Sequence, residues 1–513
     1  MAASANTAHD DNDIASPTSD SDSSYPELIL ERIAFGSCHS RDQLDKRLSK
    51  AENITAVPTI WDTIASTVQP QTFLWTGDAI YRPKDKRFVG DTPLTIMQEE
   101  YYQIRHNKTL GYAPFLRRED ILEGGVHGTW DDHDYGGNDR GRELKGREER
   151  RDAFLEFLDV PRDSARWERK GVYSSVEFGG EDLPIENGST NNLLHGNGRR
   201  NNKVKIIFLD TRWHRSKYCI PSVGSNPYVP YGALVACLTR WITAAFDLPS
   251  ILPSWTLCSA DNELLGEEQW VWLEQQLKES TASMHVVISS IQVLTTNPVV
   301  ESWGHFPLER QRLLKVLNNV PGLVLLSGDV HHAEILSTDW RSNQLIGETE
   351  EYETHNDLKS ANKGSIVEVT SSGFTHACGE PFYGPLCKPI LNAFPKHRYK
   401  GGDARDASAP SYFTSRNFGS ISIDWLSRSF LVHVHNDAGE IVLTTGRFEM
   451  DSVADMSDED LIAVPECIDG HFWPFMRKTA PFCTLCFIAF WFLYLRAKAS
   501  QPMKNNSSKS KQA

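Results

Sequence analysis

The sequence predicts an α/β fold in which strands alternate with helices and further strands follow near the end. Short apolar runs that stop at a glycine or an acid, such as Phe73 to Trp75 before Gly77, are typical of buried strands. Amphipathic segments such as 266–277 lie between these runs and predict helices. Several strand-like runs follow one another after residue 366. This order favours an α/β sandwich with an antiparallel portion.

The bulk composition is that of an ordinary globular protein. The chain has 513 residues, of which 40% are hydrophobic and 24% are charged. Its formal net charge of −15 argues against a nucleic-acid partner, and none is expected. The same charge does not exclude an anionic substrate, because bound metals supply local positive charge. Nine irregularly spaced cysteines predict no disulfide framework, although a Cys378–Cys387 bridge stays open.

The elements follow in order after an acidic tail, residues 1–26, whose lack of Lys and Arg predicts disorder. A folded domain is predicted over 27–450. Residues 214–262 are interpreted as an insertion that could form a lid over the site. The predicted strands are 28–35, 73–75, 204–209, 285–293, 323–326, 366–370, 421–425, 430–435 and 440–445, with a short strand before Gly128. The predicted helices are 95–106, 140–158, 266–277 and 307–316, with helical spacing also within 44–71, where Ile54, Ile60, Trp61 and Ile64 are the candidates for the buried face.

The end of the chain predicts a membrane anchor. Thr479 to Leu495 carries no charge and is flanked by basic residues, which is the pattern of a short transmembrane helix. A linker, 451–478, precedes it and a basic polar tail, 496–513, follows it. With no secretory signal at the start, we expect a single-pass anchor in an internal membrane such as the endoplasmic reticulum. The absent signal slightly favours a cytosolic catalytic domain, but the basic tail favours the opposite side, so the orientation stays open.

Five short motifs supply the candidate chemistry, and several of them follow an apolar run. They are GSC at 36–38, GDAIY at 77–81, WDDHD at 130–134, LDTR at 209–212 and SGDVHH at 327–332. In open α/β sheets, ligands bind at the carboxyl ends of the strands. Together the motifs provide a thiolate, carboxylates, a phenolate, imidazoles and an arginine. That set suits two metals acting on a phosphate ester, which is the expected substrate.

In their order and spacing, GSC, GDxxY, WDDH and SGDxH resemble the motifs of the PhoD family of alkaline phosphatases and phosphodiesterases, a branch of the calcineurin-like metallophosphoesterases. The resemblance covers roughly residues 30 to 445. It implies a sandwich of two mixed β-sheets flanked by helices, with metals at the strand ends. It also implies hydrolysis of phosphomonoesters and phosphodiesters with Fe(3+) and Ca(2+), although other divalent metals stay open.

The resemblance also implies a role for individual residues. Asp78 would bridge the two metals, and Cys38 and Tyr81 would bind the iron, since thiolate and phenolate are strong anionic donors. His133 would contact the substrate and protonate the leaving oxygen, and Arg212 would hold a phosphate oxygen. The remaining implied metal ligands are Asp132, Asn138, Asp329 and His331.

Each of these residues also has a structural interpretation. Cys38 and Tyr81 could be core residues, and His133 could be paired only with neighbouring acids. His332 could support the site or be a surface residue, while Asp131 and Asp134 could only orient their neighbours. Asp78 has the weakest structural alternative, because a buried acid needs a partner.

The expected function is therefore a membrane-anchored metallophosphatase that hydrolyses esters by metal-activated hydroxide. One alternative is a phosphodiesterase specific for a membrane lipid or glycan phosphate, which the predicted anchor motivates. Another is a metal-binding interaction protein without turnover. The sequence identifies neither the substrate nor the oligomeric state.

Overall fold

The computed structural model describes most of the chain between residues 22 and 456. The described residues are 22–48, 58–83, 90–180, 182–183, 200–218, 232–245, 262–338, 364–380, 384–394, 397–399, 411–450, 452–454, 456 and 491. Residues 1–21 of the predicted acidic tail, Ile54, the basic tail, and nearly all of the predicted linker and membrane helix lie outside them. The prediction of disorder is wrong for the end of the acidic tail, where Ser23–Tyr25 forms a strand.

Strands and helices alternate through the first two thirds of the fold, and strands dominate its end. The strands are β1 (Ser23–Tyr25), β2 (Arg32–Gly36), β3 (Thr72–Thr76), β4 (Val126–Thr129), β5 (Ser174–Phe178), β6 (Asp182–Leu183), β7 (Arg200–Asn201), β8 (Val204–Phe208), β9 (Met284–Ile288), β10 (Leu323–Ser327), β11 (Ala333–Ser337), β12 (Val367–Ser371), β13 (Tyr412–Phe413), β14 (Asn417–Asp424), β15 (Ser429–Asn436), β16 (Ile441–Thr444) and β17 (Phe448–Glu449). The helices are α1 (Arg41–Leu48), α2 (Ile60–Thr67), α3 (Leu94–His106), α4 (Tyr112–Phe115), α5 (Glu119–Gly124), α6 (Asp132–Tyr135), α7 (Arg147–Phe157), α8 (Gly232–Ala245), α9 (Glu267–Lys278), α10 (Pro307–Leu317) and α11 (Gly384–Ala393).

Two mixed sheets form the centre of the fold, as predicted. One has the order β1-β5-β8-β9-β10-β12-β11-β13, with β8, β9, β10 and β12 parallel to one another. The other has the order β16-β15-β14-β2-β3-β4, with β17 paired to β15. In this second sheet β2, β3 and β4 are parallel, and β14 joins them antiparallel through β2. The carboxyl ends of β2, β3 and β4 therefore lie along one edge.

The alternation of side chains along the strands separates three apolar cores. Leu74 of β3 lies in the core between the two sheets, where it meets residues such as Val286 of β9. Phe73 and Trp75, on the opposite face of β3, pack with Trp61 of α2. A third core joins the outer face of the first sheet to α9 and α10. Helices therefore cover the outer faces of both sheets.

Most predicted elements are confirmed, but the described residues also contain elements that were not predicted, among them strand β5. Within the segment interpreted as an insertion, Gly232–Ala245 forms helix α8. Strand β11 was not predicted, although it pairs with both β12 and β13. The Asn- and Gly-rich region after residue 180 begins and ends with a short antiparallel pair, β6 and β7.

The predicted transmembrane helix is not supported. Within the described part of the chain, no helix is long and apolar enough to cross a membrane. Of the predicted span 479–495, the structure describes only Trp491. The fold class is therefore corrected to a two-sheet α/β sandwich without the membrane helix.

Candidate active site

Strand ends from both sheets converge on the candidate site. Cys38 follows β2, Asp78 follows β3, Asp132 follows β4, and Asp329 follows β10 of the other sheet. The two sheets come so close here that a Cβ added to Gly328 would lie 2.5 Å from the Thr76 carbonyl oxygen. The sandwich therefore brings motifs from distant parts of the sequence to one place.

The turns that deliver these residues have an uncommon backbone conformation. Cys38, Asp78, Asp329 and His331 have φ angles of 65°, 53°, 70° and 56°, in the left-handed region that non-glycine residues seldom adopt. Such conformations persist where the surrounding structure enforces them, and they cluster at functional sites. In one enforcing contact, the His39 N–H donates to the Asp78 carbonyl at 2.9 Å.

Cys38, Asp78 and Tyr81 form a buried group of mutually close donor atoms. The Tyr81 hydroxyl donates to Asp78 Oδ2 at 2.5 Å, and Cys38 Sγ lies 3.6 Å from the same oxygen. Burial, reinforced by the charge of Asp78, raises the pKa values of both Cys38 and Tyr81 well above their usual range. A cation between the three side chains would reverse that effect by favouring the thiolate and the phenolate. The geometry therefore fits the predicted iron ligands, whose role stays a prediction.

Four carboxylates meet beside this group. One oxygen from each of Asp78, Asp131, Asp132 and Asp329 lies within 4.8 Å of the others. Burial raises the pKa of Asp78 well above its usual range, and the charges of Asp132 and Asp131 raise it further. Burial and the same two neighbours also raise the pKa of Asp329. Four ionised carboxylates at this distance would repel one another, so a bound cation or protonation of some of the acids is needed to reduce the repulsion.

Histidine and tyrosine rings line one side of the carboxylates. His133 has a side chain 24% exposed, and its ring centroid lies 4.0 Å from that of Tyr81. His331 lies 4.5 Å from His376, whose ring also contacts Tyr81 edge-on at 5.0 Å. Burial lowers the pKa of His133, while Asp132 opposes the shift. Burial likewise lowers the pKa of His331 to about 4, so this ring is neutral and can bind a metal.

His332 lies outside this group of rings. It is 3% exposed, its Nδ1 contacts the Val330 carbonyl, and its Nε2 lies 3.6 Å from Glu334. Of its two interpretations, these contacts favour the supporting one over a surface residue.

Arg212 is fully buried in an ion-pair network. Its Nε donates to Asp131 Oδ1 at 2.6 Å and its Nη1 to Glu301 Oε1 at 2.8 Å. Arg215 Nε lies 2.7 Å from the same Glu301 oxygen. Although burial opposes ionisation, these two arginines hold the pKa of Glu301 below its usual range. The structure therefore brings Arg212 to the site through Asp131, and its predicted contact with a phosphate oxygen stays a prediction.

Asp134 shapes the turn that carries Asp78. Its two carboxylate oxygens accept the backbone N–H groups of Ala79 and Ile80, each at 3.2 Å. It also accepts the Tyr101 hydroxyl at 3.1 Å. These contacts agree with the prediction that this acid orients its neighbours.

Asn138 lies in the turn after α6, and its neighbour Asp139 has the contacts that sequence reasoning missed. The Asp139 N–H donates to Asp132 Oδ2 at 2.9 Å, and its carboxylate forms a second possible ligand group with Asp132 and Glu301. Asp139 could have been found from the sequence, because it is an acid directly after the predicted ligand Asn138. Glu301 offered no such signal. His376 follows the predicted strand 366–370, and this position after a strand could have identified it as a candidate site residue.

Several polar atoms in the site lack a partner that a metal would provide. Asp131 Oδ2, Asp132 Oδ1 and His331 Nδ1 are buried, and no described residue forms a hydrogen bond with any of them. Buried polar atoms are otherwise almost always satisfied. Together with the four close carboxylates, these atoms fit a centre that holds one or more cations.

The chain is similar to known proteins in sequence and in structure. The sequence model of the PhoD-like phosphatase family matches residues 49–378, which is more than half of the chain. This range contains every predicted site residue except Cys38. Alkaline phosphatase D of Bacillus subtilis (strain 168) is 33% identical over 90 residues, a match that spans 16% of this chain and 14% of that relative's length. A solved structure of PhoD is similar with a TM-score of 0.37 and 16% identity, covering 88% of this chain and 78% of that one.

Proposed function

This chain belongs to the PhoD-like phosphatase family, and we propose on that basis that it is a metal-dependent hydrolase of phosphoric esters. The observation that carries the proposal is the meeting of Asp78, Asp131, Asp132 and Asp329 within 4.8 Å at the ends of strands from both sheets. Phosphomonoesters, phosphodiesters or both are the proposed substrates.

The donor set supports two different cations. Cys38, Tyr81 and Asp78 offer a thiolate, a phenolate and a carboxylate, which favour Fe(3+). Asp132, Asn138 and Asp329 offer hard oxygen atoms that suit Ca(2+), and His331 adds a neutral imidazole. Asp78 would serve both ions, because its Oδ2 faces Cys38 and Tyr81 while it also belongs to the carboxylate group. Bound metals would supply an activated water as nucleophile and would neutralise charge on the phosphate.

The protein's own side chains would hold the substrate and move its proton. His133 is partly exposed beside the carboxylates, which supports a role in protonating the leaving oxygen. Burial lowers the pKa of His133, and Asp132, 3.8 Å from His133 Nε2, opposes that shift by favouring the protonated form. The observed contacts of Arg212 support a role in positioning Asp131, since two of its donor groups already bind carboxylates.

The test uses the purified full-length chain. We expect bound iron, a visible charge-transfer band that weakens in Tyr81→Phe, and chelator-sensitive hydrolysis of 4-nitrophenyl phosphate or bis(4-nitrophenyl) phosphate. Asp78→Asn is expected to lower hydrolysis by more than about 100-fold, the upper end for residues that only support ligands. The control is Asp152→Asn, which removes a carboxylate that is 46% exposed on α7 and should leave the activity unchanged.

Each contrary outcome removes a distinct part of the proposal. Activity without iron would keep the hydrolase and remove the assigned roles of Cys38 and Tyr81. Bound metal without hydrolysis of either ester would favour the metal-binding interaction protein. Full activity in Asp78→Asn would contradict the site itself.

The disulfide between Cys378 and Cys387 bears on the compartment of the catalytic domain. Structural disulfides persist in oxidising environments and are rare in the cytosol. We therefore propose that the domain lies in an oxidising compartment, against the slight preference for the cytosol drawn from the sequence. Asn107 begins an Asn-Lys-Thr glycosylation sequon and lies in a short turn, where its side chain accepts the Thr109 N–H. A gel shift after glycosidase treatment of the cellular protein is expected, and reduced cysteines in that protein would contradict the proposal.

A further inference from the structure

A pocket lies at the start of β4, at the end of the strand opposite the candidate active site. It has a volume of about 300 Å³ and is lined by Gly125, Val126 and His127 at the start of that strand. Strand β4 ends at Thr129, and Asp132 begins the helix that follows it. The pocket therefore shares no lining residue with the carboxylate group, and its size is within the range of small-molecule sites.

Arg166 lines this pocket and is buried without a partner. The residue is only 6% exposed. Its Nε and Nη2 atoms are buried and have no hydrogen-bond partner among the described residues. Burial lowers its pKa to about 10, so the guanidinium is still charged at neutral pH. Buried charges in proteins are ordinarily paired. An anion entering the pocket would supply the missing partner.

Asp22, the acid whose charge acts on Arg166, already binds other groups. Asp22 lies close enough to Arg166 to affect its charge. However, the Asp22 carboxylate accepts Arg169 Nη1 at 2.6 Å and the Ser175 N–H at 2.9 Å. The guanidinium of Arg166 therefore stays available to a ligand.

The remaining charges in the pocket cancel. Arg105 is paired with Asp159 and also donates to the Phe157 carbonyl. His127 is neutral, because burial lowers its pKa to about 4, and its Nε2 lies 2.9 Å from the Gly124 carbonyl. One positive charge, that of Arg166, is left over. A singly charged anion matches it, whereas a phosphate dianion would carry an uncompensated charge beside Asp159.

Apolar and aromatic side chains share the lining of the pocket with polar groups. Tyr112, Leu116, Ile121 and Phe157 line it, and the Tyr25 ring stacks on Phe178 at its edge. Gly125, with φ of 73°, leaves space where a Cβ would lie 3.1 Å from His127 and 3.3 Å from the Tyr25 hydroxyl. A bound molecule could therefore place a charged end against Arg166 and an apolar part against these side chains.

We propose that this pocket binds a small monocarboxylate with an apolar body, whose carboxylate pairs with the guanidinium of Arg166. The forked donors of arginine match the two oxygens of a carboxylate. The aromatic and aliphatic walls would cover the rest of the molecule. The site is separate from ester hydrolysis, so it neither requires nor predicts a change in activity.

The test is calorimetric titration of the full-length protein with propionate, hexanoate and benzoate. Chelator-treated protein is titrated in parallel, because a carboxylate that binds metal at the candidate active site would lose affinity there. Benzamide, which has the shape of benzoate without its charge, and inorganic phosphate serve as comparison probes. We expect saturable binding of at least one monocarboxylate, unaffected by chelator and much stronger than that of benzamide or phosphate.

Variants assign the binding to Arg166. Arg166→Gln is expected to weaken monocarboxylate binding by about 10- to 100-fold, the effect of losing charge-assisted hydrogen bonds. The matched control is Arg162→Gln, since Arg162 is a nearby arginine that is 70% exposed and outside the pocket lining. Thermal melting of both variants verifies folding, and Arg166→Met provides a second uncharged variant.

Three results would overturn the proposal. They are the absence of saturable binding for all three monocarboxylates, equal binding in Arg166→Gln and wild type, and binding that disappears with chelator. Preferential binding of phosphate at Arg166 would replace the proposed ligand class with an inorganic anion.

Discussion

Arg240 binds both carboxylate oxygens of Asp139, with Nη1 2.7 Å from Oδ1 and 2.8 Å from Oδ2. Arg240 belongs to α8, within the segment interpreted as an insertion, and its Nε also donates to the Val299 carbonyl at 3.0 Å. The Asp139 N–H in turn donates to Asp132 Oδ2. The insertion thus reaches a predicted metal ligand through a single intermediate residue.

Arg240→Gln is expected to weaken metal binding by about 10- to 100-fold, the usual effect of removing a residue that supports a ligand. The reason is that Asp139 would lose the ion pair that positions it, and the hydrogen bond from its N–H to Asp132 would weaken. Hydrolysis should fall at limiting metal and recover in excess metal, which a purely structural role would not produce. Arg142→Gln, which removes an exposed arginine paired with Glu263, should leave metal affinity unchanged. Equal metal affinity in both variants would refute the positioning role of Arg240.

His376→Ala is expected to raise the KM for a phosphate ester several-fold while metal content stays the same. The imidazole lies beside Tyr81 and His331 without belonging to the carboxylate group, so it is placed to contact substrate rather than metal. The measurement is steady-state hydrolysis together with metal analysis. His433→Ala, on β15, is a comparison variant outside the site. Loss of metal in His376→Ala would show instead that this ring is a ligand.

Removal of metal should make the stability of the protein fall as pH rises from 6.5 to 8. Burial raises the pKa values of Asp131, Asp134 and Asp139 to about 7 in the folded state. In the unfolded chain these acids titrate near pH 4, so only the folded protein binds their protons above that pH. Their stabilising contribution therefore decreases by about 1.4 kcal/mol per pH unit for each proton between about pH 4 and 7, and the remainder is lost with a decreasing slope as the pH rises to about 8.

Buried histidines offset the loss of stability below about pH 6.5, so the loss is expected only above that pH. Burial lowers the pKa values of His39, His127 and His285 to about 4, so their contribution to stability rises with pH up to about 6.5 and then stays constant. Urea unfolding in chelator at pH 6.5, 7.25 and 8 measures the slope. Added metal should reverse it, because a cation favours the ionised carboxylates. A metal-free stability that increases over this range would contradict the carboxyl assignments.

Reduction of the disulfide should loosen the segment that carries His376. Cys378 and Cys387 are nine residues apart, and the Cys378 N–H donates to the His331 carbonyl at 2.7 Å. Replacing both cysteines with serine is expected to lower the free energy of unfolding by about 2.5 kcal/mol, from the closure entropy of a short loop. Hydrolysis should decrease in reductant for the wild type and be insensitive to reductant in the double variant. Equal stability with and without reductant would contradict a structural disulfide.

The sequence by itself determined the α/β class, most of the strands and helices, and the positions of the principal site motifs. Those features are local, because an apolar run ending at a glycine specifies a strand and the acid that follows it. Cys38, Asp78, Asp132 and Asp329 could be predicted for this reason, each from its own few residues. The resemblance in motif order then indicated the family that the match over 49–378 supports.

Only the tertiary structure decided which residues share the site with those motifs. Glu301 meets Arg212, and Arg240 meets Asp139, across distances in sequence that no local pattern records. The unpaired guanidinium of Arg166 can likewise be recognised only when its burial and the ion pair of Asp22 with Arg169 are known. Pairing and burial of charge depend on how both sheets and their covering helices pack, because the energy of a charge depends on everything around it.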